Sequence, residues 1–261
     1  MKPNIALITG ASSGIGMELA RVCARNGHNL LLTARREKRL LELKKELEAE
    51  FDVDVIFYTI DLADYDAPEK LFEFVRKNSF SVQILVNNAG VGDYGFFHES
   101  DWKRQAAMLD LNIRALTHLT HLFLPEMIKQ DRAYILNVAS TAAFQPGPMM
   151  SVYYATKSYV LSFGEAIANE LQDTGVSVTT LCPGPTESEF QKEANMEKSK
   201  LFDRFPVATS LDVAEYGFKA MMKGKRVAIY GLINKMVPRA VAISPRNFVT
   251  KVSRFIQQRK D

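Results

Sequence analysis

The sequence predicts an α/β domain built around a parallel sheet, and three observations carry that expectation. Short, continuously apolar runs of strand length recur along the chain, as in strands covered on both faces. Longer stretches with leucines at helical spacing alternate with them. A glycine-rich turn joins the first run to the first helical stretch. With 261 residues, 47% hydrophobic and 24% charged, one domain with a large core is expected.

Taken in order, residues 5–8 form the first strand, which runs into Gly10, Ser12, Ser13, Gly14, Ile15 and Gly16 and then a helix. Glycines there let backbone approach a pyrophosphate, and the helix N-terminus offers free N–H groups and partial positive charge. The spacing Gly-x-x-x-Gly-x-Gly differs from the commoner Gly-x-Gly-x-x-Gly. The second strand, residues 29–33, ends at Arg35 and Arg36, where an NAD-binding chain would carry an acidic residue for the ribose 2′-hydroxyl. A guanidinium suits a 2′-phosphate instead, so NADP(H) is expected. A leucine-striped helix follows (Leu40, Leu43, Leu47). The third strand, residues 53–58, closes on Asp61 and Leu62, where an aspartate can cap the next helix or face a ligand. After a helix at 67–77, the fourth strand, residues 82–86, ends at Asn87, Asn88, Ala89 and Gly90. The paired amides can tie neighbouring strand ends together.

Residues 101–129 read as two helices or one kinked near Asn112, an amide among Leu109, Leu111 and Ile113 that needs partners. His118 and His121 lack a carboxylate or cysteine cluster, so no metal is expected. The fifth strand, residues 134–139, ends at Ser140, placed to donate its hydroxyl to a substrate oxygen. Residues 141–151 read as a loop, and a helix over 151–172 then presents Tyr153 and Lys157. Four residues apart, they share a helical face, which sets a phenol beside an ammonium that favours the phenolate. Tyr154, next in the chain, points about 100° away around the helix. The sixth strand, residues 176–181, ends at Pro183, Gly184 and Thr186. A helix over 211–222 and a last strand at 227–230 complete the pattern.

The combination of Thr9-Gly10-x-x-x-Gly14-x-Gly16, Asp61, Asn87 to Gly90 and Tyr153-x-x-x-Lys157 resembles the short-chain dehydrogenase/reductase family over residues 4–230. The resemblance implies a single doubly wound Rossmann domain (1–230), with a mainly parallel seven-stranded sheet and a short C-terminal helical tail. It implies that the glycine turn holds the cofactor pyrophosphate, Asp61 contacts adenine, and Asn88, Ala89 and Gly90 line the cofactor cleft. It makes Asn112, Ser140, Tyr153 and Lys157 the catalytic set. In that set the backbone of Asn112 holds a water near the lysine, and Ser140, 13 residues before Tyr153, matches the family's serine. Pro183 and Gly184 would lie against the nicotinamide, and Thr186 would bond its carboxamide. Residues 186–210 correspond to a variable substrate lid, and the two long helices imply a homodimer or homotetramer.

Phe190, Met196, Leu201, Phe202 and Phe205 in that lid, with Phe144, Met149 and Met150, predict a lipophilic or acyl-chain pocket for a ketone/secondary-alcohol substrate. A sugar or polyol dehydrogenase, or a cofactor-binding regulator that no longer catalyses, are the alternatives. The basic tail, residues 231–261, reads either as a membrane-surface or acyl-carrier contact or as helix packed on the same domain or a sister subunit. The packed reading is preferred. The net charge of +3 gives no nucleic-acid footprint. Cys23 and Cys182, each in an apolar run and with no Cys-x-x-Cys, are expected as buried free thiols. Met1-Lys2-Pro3 leads straight into a strand-like run, and no stretch reaches about 18 uninterrupted apolar residues. No signal peptide or membrane span is expected, and the location expected is cytoplasmic.

Overall fold

Seven parallel strands form one sheet in the order β3-β2-β1-β4-β5-β6-β7 in a computed structural model that describes residues 4–196, 199–200 and 207–258. The strands are β1 (Asn4–Thr9), β2 (Asn29–Ala34), β3 (Val55–Thr59), β4 (Ser81–Asn87), β5 (Ala133–Val138), β6 (Val176–Cys182) and β7 (Val227–Ile229). The interiors of β1, β2 and β6 are almost wholly buried, which is why they read as continuous apolar runs, while β3 at the sheet edge is only partly buried. The order reverses direction between β1 and β4. In a doubly wound sheet that switch point opens a crevice at the carboxyl ends of the strands.

Helices cover both faces. On one side α1 (Gly14–Arg25), α2 (Glu37–Glu50) and α8 (Ser210–Met222) bury Leu19, Leu40, Leu47 and Met221 against β1, β2 and β6. On the other, α3 (Ala67–Lys77), α5 (Leu116–Met127) and α6 (Ser151–Glu170) bury Leu71, Leu119, Phe123 and Ile167. Helix α4 (Trp102–Leu109) runs into α5 through a wider π-helical stretch, Asp110–Ala115, centred on Asn112. The kink expected near Asn112 is therefore a bulge within a continuous helix. Residues 141–144, expected as loop, form a 3₁₀ turn.

Past β6 the chain makes a short helix, α7 (Phe190–Glu193), and the tail folds into α9 (Leu232–Ile243) and α10 (Arg246–Ile256). Leu201, Phe202, Phe205, Arg259 and Lys260 lie outside the described residues. Cys23 and Cys182 are buried and free, and burial pushes each thiol up to about 12. His118 faces Glu69 at 3.3 Å on the outer side of the α3–α5 pair. No helix among the described residues is long and apolar enough to cross a membrane.

Candidate active site

A cleft of about 480 Å³ runs along the carboxyl ends of the strands. It brings together all the expected catalytic and cofactor-binding residues except Gly16 and Asn112, which stand directly behind its wall.

At the β1 end the wall is a tight polar weave. Thr9 Oγ1 donates to the Val86 carbonyl (3.1 Å) and accepts from the amides of Asn88 and Ala89 (3.0 Å each). Asn88 Nδ2 donates to the carbonyls of Thr9 (2.9 Å) and Gly10 (3.3 Å), clamping the glycine turn to β4. Asn87 Nδ2 reaches Asn137 Oδ1 on the neighbouring strand at 2.9 Å, so the paired amides tie strand ends as their sequence implies. The clamp leaves no room for side chains. A Cβ on Gly10, whose φ is +68°, would sit 2.8 Å from Asn88 Nδ2, and one on Gly16 would overlap the same atom and the Gly10 carbonyl. The first turn of α1, with Gly14 and Ile15, therefore faces the cleft with its amides, a cradle that suits a pyrophosphate.

The two arginines are not equivalent. Arg36 donates to Ser12 Oγ at 3.0 Å, Ser13 Oγ at 2.7 Å and Glu189 Oε2 at 2.6 Å, which holds its guanidinium over the glycine turn. Arg35 is 61% exposed and lies 3.7 Å from Asp61. Asp61 Oδ1 accepts from the Ala63 amide, while Asp66 occupies the residue before α3, so Asp61 faces the cleft rather than capping that helix.

Farther along, Ser140 and Tyr153 line the cleft together with Lys157, Pro183, Gly184 and Thr186. Lys157 is 5% exposed, donates to the Val138 carbonyl at 2.8 Å, and places Nζ 5.7 Å from the centre of the Tyr153 ring. Burial pulls this ammonium down to about 8. The sequence led us to expect that it would draw the Tyr153 phenol toward neutrality. Burial instead lifts the phenol to about 12, opposed by a hydrogen bond with Ser140. Asn112 spends its side chain on structure. Its Nδ2 donates to the Val91 carbonyl (2.9 Å) and Thr156 Oγ1 (3.0 Å), and its Oδ1 accepts from the Val91 amide (3.0 Å). Any chemical part for Asn112 thus falls to its backbone, within the π-helical stretch. The glycine at 90 keeps this corner open, since a Cβ there would meet Asn112 Oδ1 at 3.2 Å and Lys157 Nζ at 3.4 Å.

Tyr154 also borders the cleft but is largely buried. It lies against Gly147, and a hydrogen bond with Ser253 links it to the tail. Of the apolar residues expected around the substrate, Met150, Phe190 and Met196 line the cleft. Phe144 and Met149 do not: Phe144 packs beside Val160 and Leu161, and Met149 packs into the cluster that holds Tyr94. The residues missed are in the tail, where Asn234, Val237, Val241, Val249 and Ile256 close the cleft from above. Asn234 leaves no room for a Cβ on Gly184, a contact between segments 50 positions apart that no local pattern announces.

Comparison with known proteins places this geometry. The short chain dehydrogenase family model matches residues 4–199. Sulfoacetaldehyde reductase 2 of Chromohalobacter salexigens is 38% identical over 195 residues, 72% of this chain and 74% of its own. The NADP-dependent 3-hydroxy acid dehydrogenase YdfG of Salmonella typhi is 34% identical over 182 residues, 69% of this chain and 71% of its own. Among solved structures, a short-chain dehydrogenase from Sphingobium yanoikuyae in complex with NADPH superposes with a TM-score of 0.81 at 28% identity, covering 94% of this chain and 97% of that one. The chain belongs to the short-chain dehydrogenase family and is an oxidoreductase.

Proposed function

We propose that this enzyme interconverts a lipophilic ketone and its secondary alcohol with NADP(H). The observation that carries the substrate class is the far end of the cleft. Met150, Phe190, Met196, Val241, Val249 and Ile256 reach it from four separate segments. Among the described residues, the basic side chains lining the cleft are Arg35 and Arg36 at its β2 end and Lys157 beneath it, and the apolar end is lined by none of them.

NADP(H) fits the opposite end, with pyrophosphate against the glycine turn and the α1 N-terminus, and a 2′-phosphate at Arg36 with Ser12 and Ser13. The cofactor, when bound there, would supply a hydride for the carbonyl carbon. Ser140 Oγ and Tyr153 Oη bond the carbonyl oxygen, and Tyr153 donates the proton to it. Burial keeps this phenol protonated at neutral pH, as a proton donor must be before the transfer. Lys157 holds the nicotinamide ribose and keeps positive charge beneath the phenol as it gives up the proton. Asn112, through its backbone, holds a water beside Lys157. The exposed Trp102, Leu109 and Tyr159 on the α4–α6 side are the surface through which a homodimer or homotetramer would form.

The test is a panel of initial rates with NADPH. Bulky aliphatic and cyclic ketones are expected to turn over with KM values well below those of sugars or small sulfonated aldehydes. Turnover confined to polyols or to short anionic aldehydes would overturn the substrate class. Measurable turnover of any carbonyl compound excludes the reading as a non-catalytic regulator.

A further inference from the structure

We infer that the outer face of helices α9 and α10 docks on an anionic phospholipid bilayer. Helix α9 is apolar on two opposed sides. One side, with Val237 and Val241, lines the cleft. The other carries Leu232, Met236 and Ile243, 80%, 66% and 88% exposed, at spacings of four and seven that put them on one face. A helix packed on a single domain turns a mainly polar side to solvent, whereas this one exposes three large apolar residues there beside Lys235 and Arg239. Phe248 on α10, 59% exposed, continues the apolar surface to the lip of the cleft.

Charge decides which occupant fits. Lys235, Arg239, Arg246, Lys251 and Arg254 all stand exposed on these two helices, and no acidic residue occurs between Leu232 and Gln258. The tail from residue 231 holds seven of the chain's 33 Lys and Arg and one of its 30 Asp and Glu. The rest of the chain therefore carries 26 basic against 29 acidic residues, and its mild overall charge hides a polarised molecule. On α9, Lys235 and Arg239 border the apolar stripe along one side within one turn of it, so both cations can reach headgroups when the stripe meets a lipid surface. A second copy of the chain is a poor occupant. An isologous contact through this face would set the same cations against each other. Docking would turn the lip of the cleft toward the lipid, so that an apolar compound could enter without crossing water. The inference does not depend on the substrate class, because its test requires no turnover.

The experiment is co-sedimentation of the full chain with vesicles of equimolar phosphatidylglycerol and phosphatidylcholine, against vesicles of phosphatidylcholine alone. The protein is expected to pellet with the anionic vesicles, to stay in solution with the neutral ones, and to be released as salt is raised. The Lys235→Ser/Arg239→Ser variant should partition about thirtyfold more weakly, the equivalent of about 1 kcal/mol for each cation at an anionic surface. Met236→Ser/Ile243→Ser should weaken it at least as much, with NADPH affinity intact in both as proof of folding. Protein that stays in the supernatant with anionic vesicles overturns the inference, as do variants that pellet like the parent. A dimer that falls to monomer in Met236→Ser/Ile243→Ser, without vesicle binding by the parent, assigns the face to self-association instead.

Discussion

At the β1 end of the cleft a single hydroxyl, Thr9 Oγ1, ties three backbone groups, and Asn88 clamps two carbonyls more. At the far end, α9 and α10 reach the cleft mainly with valines and isoleucine. Their polar ties to the body include a hydrogen bond from the Tyr94 hydroxyl to the Gln257 carbonyl and one from the Lys200 amide to the Gln258 carbonyl (3.0 Å). The family model ends at residue 199, so it covers the first end and omits the tail helices of the second. Hydrogen bonds have direction and tolerate little substitution, whereas apolar packing accepts many residues of similar volume. The same chain can therefore keep its cofactor end fixed in form while its cover is shaped to a particular substrate.

Substitutions at the two ends should separate along this line. The largest effect is expected at the junction. Tyr153→Phe should lower kcat by about 10²–10⁴-fold with NADPH affinity retained, as measured by single-turnover rates and cofactor titration. Unchanged turnover would remove Tyr153 from the chemistry. Gly16→Ala should be the most damaging change at the rigid end, because its Cβ would overlap Asn88 Nδ2 and the Gly10 carbonyl. We expect about a hundredfold loss of NADPH affinity and a lower Tm, read by titration and by thermal melting. Arg36→Ala should reduce the preference for NADPH over NADH by about ten- to thirtyfold, the worth of charge-assisted hydrogen bonds to a 2′-phosphate. Arg35→Ala, at an exposed site, should change that ratio less. If the order is reversed, the assignment of the phosphate site is wrong.

At the adaptable end, Val249→Ala should raise KM for a bulky ketone by about tenfold, from roughly 1.5 kcal/mol of lost apolar contact, and leave kcat unchanged. The pH response is the mildest effect. Burial lowers Lys157 to about 8, so its charge is complete below that value and is lost as pH rises through it. The kcat/KM for reduction is therefore expected to be flat at lower pH and to decline by a few-fold above about 8. A decline that begins on the acid side would exclude a requirement for the charged lysine.

Much of this architecture was legible because its signals are local. Residues 67–77 and 151–170 are helical where leucine, phenylalanine and valine spacing indicates, and each strand lies within two or three residues of its apolar run. The glycine turn, Asp61 and the Asn87–Asn88 pair announced themselves by position at strand ends, since a parallel sheet directs those ends to one crevice. The failures share a cause. Phe144 and Met149 have the right chemistry for a substrate pocket, yet they turn into packed clusters because side-chain direction depends on tertiary neighbours. The Tyr153 phenol was expected to be pulled down by its neighbouring ammonium, and burial raises it instead.

The sequence by itself determined the order of strands and helices, the residues of the glycine turn, and a tyrosine and lysine on one helical face. Those follow from backbone propensity and periodicity, which act over a few residues. Only the tertiary structure decided that Arg36 rather than Arg35 sits over the glycine turn, and that Asn112 spends its amide on Val91 and Thr156. It also decided that the tail returns over the cleft with apolar residues on both of its sides. Contacts between positions far apart in the chain depend on how buried volume is filled, and no local spacing records that.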